Sequence, residues 1–313
     1  MNNIKNNHFL VLGRAGLDLY ADPPGTRVEE ALAFSSALGG SAANIAVAIS
    51  KLGGRASLIS CVSDDAVGRY ILNQLKTYDV GCGHMHIVAG DARSSLAVVE
   101  TRAENCQSVI YRNGASDFQL NENHVCEIAF KDYGALIVTG TSLAVEPSRS
   151  ATLLAMKIAS DAGLPVIIDI DYRPYSWANA DEASQIYLSA VAMCNIVIGN
   201  DVEFGVMGEG LTLARKLSRS AEVVIYKMGE KGSITFTGPR EFKTVIFPVT
   251  ALKPTGAGDA FMGAFITSLA NGIDVETCVK RGSAAAAIVV TKVGCAPAMP
   301  STSELDKFMR DNS

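Results

Sequence analysis

Between Ala135 and Lys227 the chain sets four short apolar runs, Ala135 to Thr139, Val166 to Asp169, Ile196 to Ile198 and Val223 to Lys227, among longer stretches with helical spacing. A strand that is apolar throughout must be covered on both faces, and helices packed on each side of a parallel sheet give that cover. The alternation therefore predicts an α/β fold with right-handed crossovers and with ligands at the carboxyl edge of the sheet. The N-terminal part starts similarly. Phe9-Leu-Val-Leu-Gly13 reads as a buried first strand leading into a loop that holds Asp18 and the Pro23-Pro24-Gly25 turn. A helix is expected from Ser41 to Leu52, stopped by Gly53-Gly54, then a strand over Ala56 to Val62 and a helix over Asp65 to Thr77. From Arg93 to Arg112 the pattern changes to Val, Ser and Thr alternation, which predicts antiparallel strands outside the parallel core.

Composition narrows the class further. The 313 residues are 48% hydrophobic and 19% charged, which suits one large ordered core; only the first seven, Asn-rich residues are expected to fray. With 27 Lys and Arg against 32 Asp and Glu, the net charge of −5 offers no general attraction for nucleic acid or an anionic membrane. The seven cysteines are scattered and never spaced as a metal-binding pair, as expected of reduced thiols in a cytoplasmic protein. No basic-then-apolar leader opens the sequence, and the longest apolar stretch, Ala284 to Val290, is too short to cross a bilayer.

Four constellations carry possible chemistry. Thr255-Gly256-Ala257-Gly258-Asp259 leads into the apolar helical stretch from Ala260 to Leu269. Gly256 and Gly258 let backbone approach a ligand, the helix start supplies unpaired N–H groups for a phosphate, and Asp259 can take the proton of a substrate hydroxyl. A glycine turn with an ordinary N-cap explains the same residues without a ligand. Gly39-Gly40-Ser41-Ala42-Ala43-Asn44 similarly opens a helix: the glycines allow close approach, and Asn44 both donates to and accepts from sugar hydroxyls, while tight helix-to-sheet packing is the plain alternative. Asp18 could pair with vicinal hydroxyls or cap a turn. Asn200 and Glu203 follow a strand and suit a hydrated Mg2+ carried by nucleotide phosphates, or equally a capping box. Lys227, followed by Gly229 and Gly232, could reach those phosphates. Arg173, in Asp169-Ile-Asp171-Tyr-Arg173-Pro with Trp177 beyond, and Arg112 in Tyr111-Arg112 are suited to a carboxylate or phosphate, with salt bridges as the bland reading.

Together these residues resemble the ribokinase-like, or PfkB, carbohydrate kinase family, over nearly the whole chain. The resemblance implies one three-layer α/β/α kinase domain over residues 1–313, with a mostly parallel sheet and a small β-sheet lid drawn from within 14–38 and 91–115. It assigns Asp259 as catalytic base and Gly256, Ala257 and Gly258 as anion hole. Asp18, Gly39, Gly40, Asn44, Tyr111, Arg112 and Arg173 are assigned to the acceptor; Asn200, Lys227, Gly229, Gly232, Thr255 and Ser283 to ATP; Asn200 and Glu203 to Mg2+ through the phosphates. It also implies a monovalent cation and a homodimer meeting through the lids. Two departures bear on these contacts: Lys253-Pro254 stands where many members have Asp-Thr, and Ser283 where Asn is frequent near the adenine. The local features look like those of kinases for keto-deoxy sugar acids. The expected acceptor is 5-dehydro-2-deoxy-D-gluconate of myo-inositol breakdown, ahead of 2-dehydro-3-deoxygluconate and of neutral sugars such as ribose or fructose; a non-catalytic sugar-binding regulator is the reading from another class.

Overall fold

The computed structural model describes residues 4–102 and 104–312. In chain order the elements are β1 (His8–Leu12), β2 (Gly16–Asp22), β3 (Ala33–Gly39), α1 (Ser41–Lys51), β4 (Arg55–Ser63), α2 (Ala66–Thr77), β5 (Gly81–Val88), β6 (Ser95–Val99), β7 (Ser108–Tyr111), α3 (Glu122–Cys126), β8 (Ala135–Thr139) and α4 (Ser148–Asp161). They continue with β9 (Val166–Asp169), α5 (Ala180–Val191), β10 (Ile196–Asn200), α6 (Asp201–Gly205), α7 (Gly210–Leu217), β11 (Val223–Lys227), β12 (Ser233–Thr237), β13 (Arg240–Thr244), α8 (Ala257–Ala270), α9 (Val275–Val290) and α10 (Thr302–Asp311).

Nine strands form one sheet in the order β13-β12-β11-β10-β9-β8-β1-β4-β5. The seven from β11 to β5 run parallel, whereas β12 and β13 are added antiparallel at one edge, a hairpin the apolar-run pattern did not anticipate. Alternate residues of each central strand enter different cores. Phe9, Val11, Ile137, Ile167 and Ile225 pack under α1, α2, α8, α9 and α10, while Leu10, Leu12, Val138, Ile168 and Val224 pack under α3 to α7. Both faces are therefore buried, which is why these strands read as continuous apolar runs. Strand order reverses at β1, which pairs with β4 on one side and with β8 on the other, opening a crevice at the carboxyl edge.

A second sheet, β3-β2-β6-β7, springs from that crevice. Here two expectations are corrected. Asp18 lies on strand β2 and not in a loop, because β2 pairs over its full length with β3 and along β6. The pairing with β6 is parallel, so this sheet is mixed, although β6 and β7 are antiparallel as expected. Fraying at the N-terminus is also corrected where the chain is described: Ile4 packs against the core, and the Asn7 carbonyl accepts from the Arg55 N–H at 2.8 Å. Residues 1–3 lie outside the described part.

Helices α1 and α8 pack closely because each presents small residues at the crossing. A Cβ on Gly263 would fall 2.4 Å from the Ala48 Cβ. Gly263→Val is thus expected to lower stability by about 1–3 kcal/mol through overpacking, read as a fall in Tm by calorimetry; an unchanged Tm would show that the helices do not meet this tightly.

Candidate active site

Helix α8 begins at the sheet's carboxyl edge on a left-handed glycine. Gly256 has φ of 84°, and a Cβ there would meet Cys295 Sγ at 2.9 Å and Val289 Cγ1 at 3.2 Å, so the turn needs glycine on both counts. The first bond of the helix runs from the Ala260 N–H to the Gly256 carbonyl. The N–H groups of Ala257, Gly258 and Asp259 therefore have no carbonyl of their own helix to meet, leaving a partial positive charge for an anion. Asp259, in this first turn, accepts a hydrogen bond on Oδ2 from Asn44 Nδ2 at 2.9 Å. Asn44 is placed by α1, whose start needs Gly40: φ is 96°, and a Cβ would lie 2.4 Å from the Arg14 carbonyl oxygen. Burial, with repulsion from Asp171 and Asp169, pushes the Asp259 carboxyl up to about 7, against the Asn44 hydrogen bond and the Arg173 charge. A carboxyl so placed is tuned for general-base work near neutral pH.

The neighbouring strand ends bring in further charges. Lys227, at the end of β11, lies 3.9 Å from Asp169 at the end of β9, and a Cβ on Gly258 would be 3.5 Å from its Nζ. Burial opposes the Lys227 charge, but Asp169, Glu203, Asp259 and Asp171 together hold its affinity for the proton above the usual value. Asp171 takes up a left-handed backbone with φ of 41°, and its Oδ1 pairs with Arg173 Nη2 at 2.6 Å. Glu203 closes the group: Oε1 faces Arg173 at 4.0 Å, while Oε2 accepts from the Asn200 N–H at 2.7 Å. Burial, with Asp169 and Asp171 nearby, pushes Glu203 up to about 7 against the pull of Lys227.

Across the crevice stands β2. Asp18 accepts from the Tyr20 hydroxyl on Oδ2 at 3.0 Å, while Oδ1 is buried without a partner. Gly39 must be glycine, since a Cβ would fall 1.9 Å from Asp18 Oδ1. Asn44 Oδ1 and Thr255 Oγ1 are buried and unpartnered as well. Orphaned polar atoms of this kind are costly unless a ligand meets them.

The candidates of the sequence are thus sorted by the fold. Asp259, Gly256, Ala257, Gly258, Asn44, Asp18, Gly39, Gly40, Thr255, Lys227, Arg173 and Glu203 come together. Asn200 and Glu203 form the capping box that competed with the metal reading: Asn200 Oδ1 accepts from the Glu203 N–H at 2.9 Å. Among the described residues no group of three or more His, Cys, Asp or Glu is placed to hold a metal directly. Tyr111 is corrected: it pairs with Leu96 on the face of the small sheet opposite Asp18 and is 61% exposed, so it does not join the site. Arg112 is buried and already engaged, with Nε on Asp117 Oδ2 at 3.0 Å, Nη2 on the same oxygen at 2.5 Å and Nη1 on the Thr141 carbonyl at 3.1 Å. Gly229 and Gly232 shape the turn between β11 and β12, and Ser283 sits half-buried on α9 beside Gly282, which packs on Phe261. Trp177 belongs to the core, 5.3 Å from the Tyr187 ring. Asp169 and Asp171 received no role from the sequence, although two acids flanking one residue at a strand's carboxyl end were a usable signal. Lys253, which the sequence marked as a departure from the family and as one of the features shared with keto-deoxy sugar-acid kinases but to which it gave no role in the site, is fully buried with Nζ on the Thr255 carbonyl at 2.5 Å.

Comparison with known proteins places this site in context. The pfkB family carbohydrate kinase pattern matches residues 6–302. A relative from Photobacterium profundum, named 5-dehydro-2-deoxygluconokinase, is 42% identical over 310 residues, covering 96% of this chain and 94% of its own. Among solved structures, a fructokinase with bound ATP from Xylella fastidiosa superposes with a TM-score of 0.87 at 21% identity, covering 98% of this chain and 99% of its own. A fructokinase double mutant from Vibrio cholerae O395, in a fructose-, ADP- and potassium-bound form, gives 0.85 at 26% identity, covering 96% and 98%. With its glycine-entered α8, its carboxylate in the first turn and a match spanning almost its entire length, the chain belongs to the pfkB family of carbohydrate kinases.

Proposed function

We propose that the protein transfers the terminal phosphoryl group of ATP to a hydroxyl of a sugar acid, with 5-dehydro-2-deoxy-D-gluconate as the acceptor that the name of its Photobacterium relative supports. The observation that carries the reaction type is Asp259, set in the first turn of α8 among free N–H groups and held by Asn44. Asp259 takes the hydroxyl proton as that oxygen bonds to the γ-phosphorus, and the bond to the β–γ bridging oxygen breaks to release ADP. The N–H groups of Ala257, Gly258 and Asp259 stabilise the charge on the group in transfer. Lys227, close against Gly258, meets the phosphate chain.

Mg2+ would come as an ion carried by the phosphates, and the carboxylates of Glu203 and Asp169 with the amide of Asn200 are the groups that would hold it there. When bound it neutralises phosphate charge. Gly229, Gly232 and Ser283 would line the rest of the nucleotide, and Asp18, Gly39, Gly40 and Asn44 the acceptor. The small sheet serves as lid for this single kinase domain: its inner face carries Tyr20, Ala37, Ala97 and Val99, an apolar surface suited to excluding water. Its outer face exposes Phe34, Val109 and Tyr111, which supports a homodimer made through the lids. Free thiols at all seven cysteines support a cytoplasmic location.

The acid preference rests on Arg173, since the Arg112 guanidinium is taken by Asp117 and the Thr141 carbonyl. Arg173 is 44% exposed toward the cleft, and Arg112 borders a cavity of about 270 Å³ with Phe118, Tyr175 and Ser176, adjoining the Arg173 loop. Arg173→Ala is expected to raise KM for the sugar acid by about 10- to 100-fold, the loss of a charge-assisted bond, while leaving KM for a neutral sugar little changed. An ADP-release assay with both acceptors decides it, and an unaltered KM for the acid would remove Arg173 from the clamp.

Asp259→Asn should lower kcat by about 10²–10⁴-fold. In the wild type kcat/KM should rise with pH through about 7, as Asp259 loses its proton. The variant should also melt higher. Because the folded-state value is raised, ionised Asp259 costs stability above pH 7, so the Tm gain of the variant is largest near pH 8 and shrinks toward pH 5. A gain independent of pH would mean that Asp259 is not the group titrating there.

A further inference from the structure

Lys253 is a buried cation with no acid to pair with. Its side chain is wholly inaccessible, its recorded bond is the one from Nζ to the Thr255 carbonyl, and among the described residues no carboxylate lies within ion-pair distance of it. An ammonium left in this condition is expensive unless its position is useful. Burial draws the amine below its ordinary value, while Cys295, Asp259, Cys106 and Asp18 act in the opposite direction.

Its surroundings suggest what it does. The Thr255 carbonyl is the last group before the left-handed turn at Gly256, so whatever fixes that carbonyl fixes the direction in which the next N–H groups point. The backbone of Leu252 and Lys253 is anchored on the Val290 carbonyl, with N–H donors at 2.7 and 3.2 Å, at the C-terminal end of α9. A monovalent cation at the same corner, as the resemblance implies and as the potassium-bound Vibrio fructokinase invites, does not fit: the Thr255 carbonyl is taken by a positive donor that would repel the ion.

We propose that the Lys253 ammonium is a built-in monovalent cation, which holds the Thr255 carbonyl and thereby the anion-binding turn, and which makes the reaction independent of added K+. Lys253 is a positioning residue on this account, acting through the N–H groups of Ala257, Gly258 and Asp259. The inference rests on the kinase reading of the same site.

The test measures ADP release by the full-length protein in matched concentrations of tetramethylammonium, K+ and NH4+ chlorides. The wild type should run equally fast in all three, to within about twofold. Lys253→Ala should lose about 100-fold in kcat, as a displaced site does, with little change in KM for the acceptor. It should regain at least about tenfold of that in K+ or NH4+, which fit the vacated space, and nothing in tetramethylammonium. Lys253→Met, which fills the space without charge, should be slow in every salt; it also replaces the alanine variant should that fail to fold. Several-fold activation of the wild type by K+ overturns the proposal. So does undiminished kcat in either variant, a folded alanine variant that no small cation rescues, or a rise in acceptor KM alone, which would make Lys253 a substrate clamp. A wild type inert with every acceptor would instead overturn the kinase reading.

Discussion

One hydrogen bond, from Asn44 to Asp259, joins residues 215 positions apart, and much of the fold serves to make it. It requires α1 and α8 to begin at the same point of the sheet edge and to lie in contact along their small residues, with Gly263 against Ala48. It also requires both entrances to be glycine, because Gly40 passes the Arg14 carbonyl and Gly256 passes Cys295 closer than a side chain permits. The bond keeps the carboxylate ionisable in a setting that otherwise favours its neutral form. Without Asn44, burial and two neighbouring acids would act unopposed except by Arg173.

Around that bond the charges do not balance. Among the described residues the four acids Asp169, Asp171, Glu203 and Asp259 outnumber the cations near them, Lys227, Arg173 and Lys253, and two of the four acids are pushed up to about 7. Such a cluster repels a triphosphate in its fully ionised state and welcomes one that brings its own cations. The same imbalance accounts for why Lys227 keeps its charge although buried, since each neighbouring acid adds to its hold on the proton. The site is organised for a ligand whose charge completes it, and local stability is spent to keep it ready.

Much of this arrangement was legible in the residues. The apolar runs marked the parallel strands because burial on both faces removes polar alternation, and the two glycine-rich helix starts marked the anion turn and Asn44 because backbone approach demands glycine. The β12–β13 hairpin was not legible, since Ser233-Ile-Thr-Phe-Thr237 alternates like a surface strand and carries no sign of the sheet it joins. Asp18 was misplaced because β2 is an inner strand of the small sheet, set between β3 and the more distant β6, a pairing that no local residue pattern announces. Tyr111 was misjudged by a step of one residue: on a strand adjacent side chains take opposite faces, so Ile110 looks inward while Tyr111 looks out. Arg112 could not be recognised as engaged, because Asp117, five residues on, pairs with it only after the chain turns back.

The division between the two sheets also separates two tasks. The groups proposed to act on the phosphoryl chain sit at the carboxyl edge of the large sheet and on α8, whereas of those proposed to meet the acceptor Asp18 and Gly39 belong to the small sheet and Arg173 to the loop after β9. A change on the small sheet can reshape the acceptor space without moving Asp259, whose position depends on α1, α8 and the strands beneath them. Gly39 is where the two tasks meet: it ends β3, leaves room for the Asp18 carboxylate, and is followed by the glycine that starts α1. A side chain there would displace the Asp18 carboxylate while leaving Asn44 on its helix. Acceptor choice can thus be altered independently of phosphoryl transfer, which is how a scaffold shared with fructokinases can accommodate an acid acceptor.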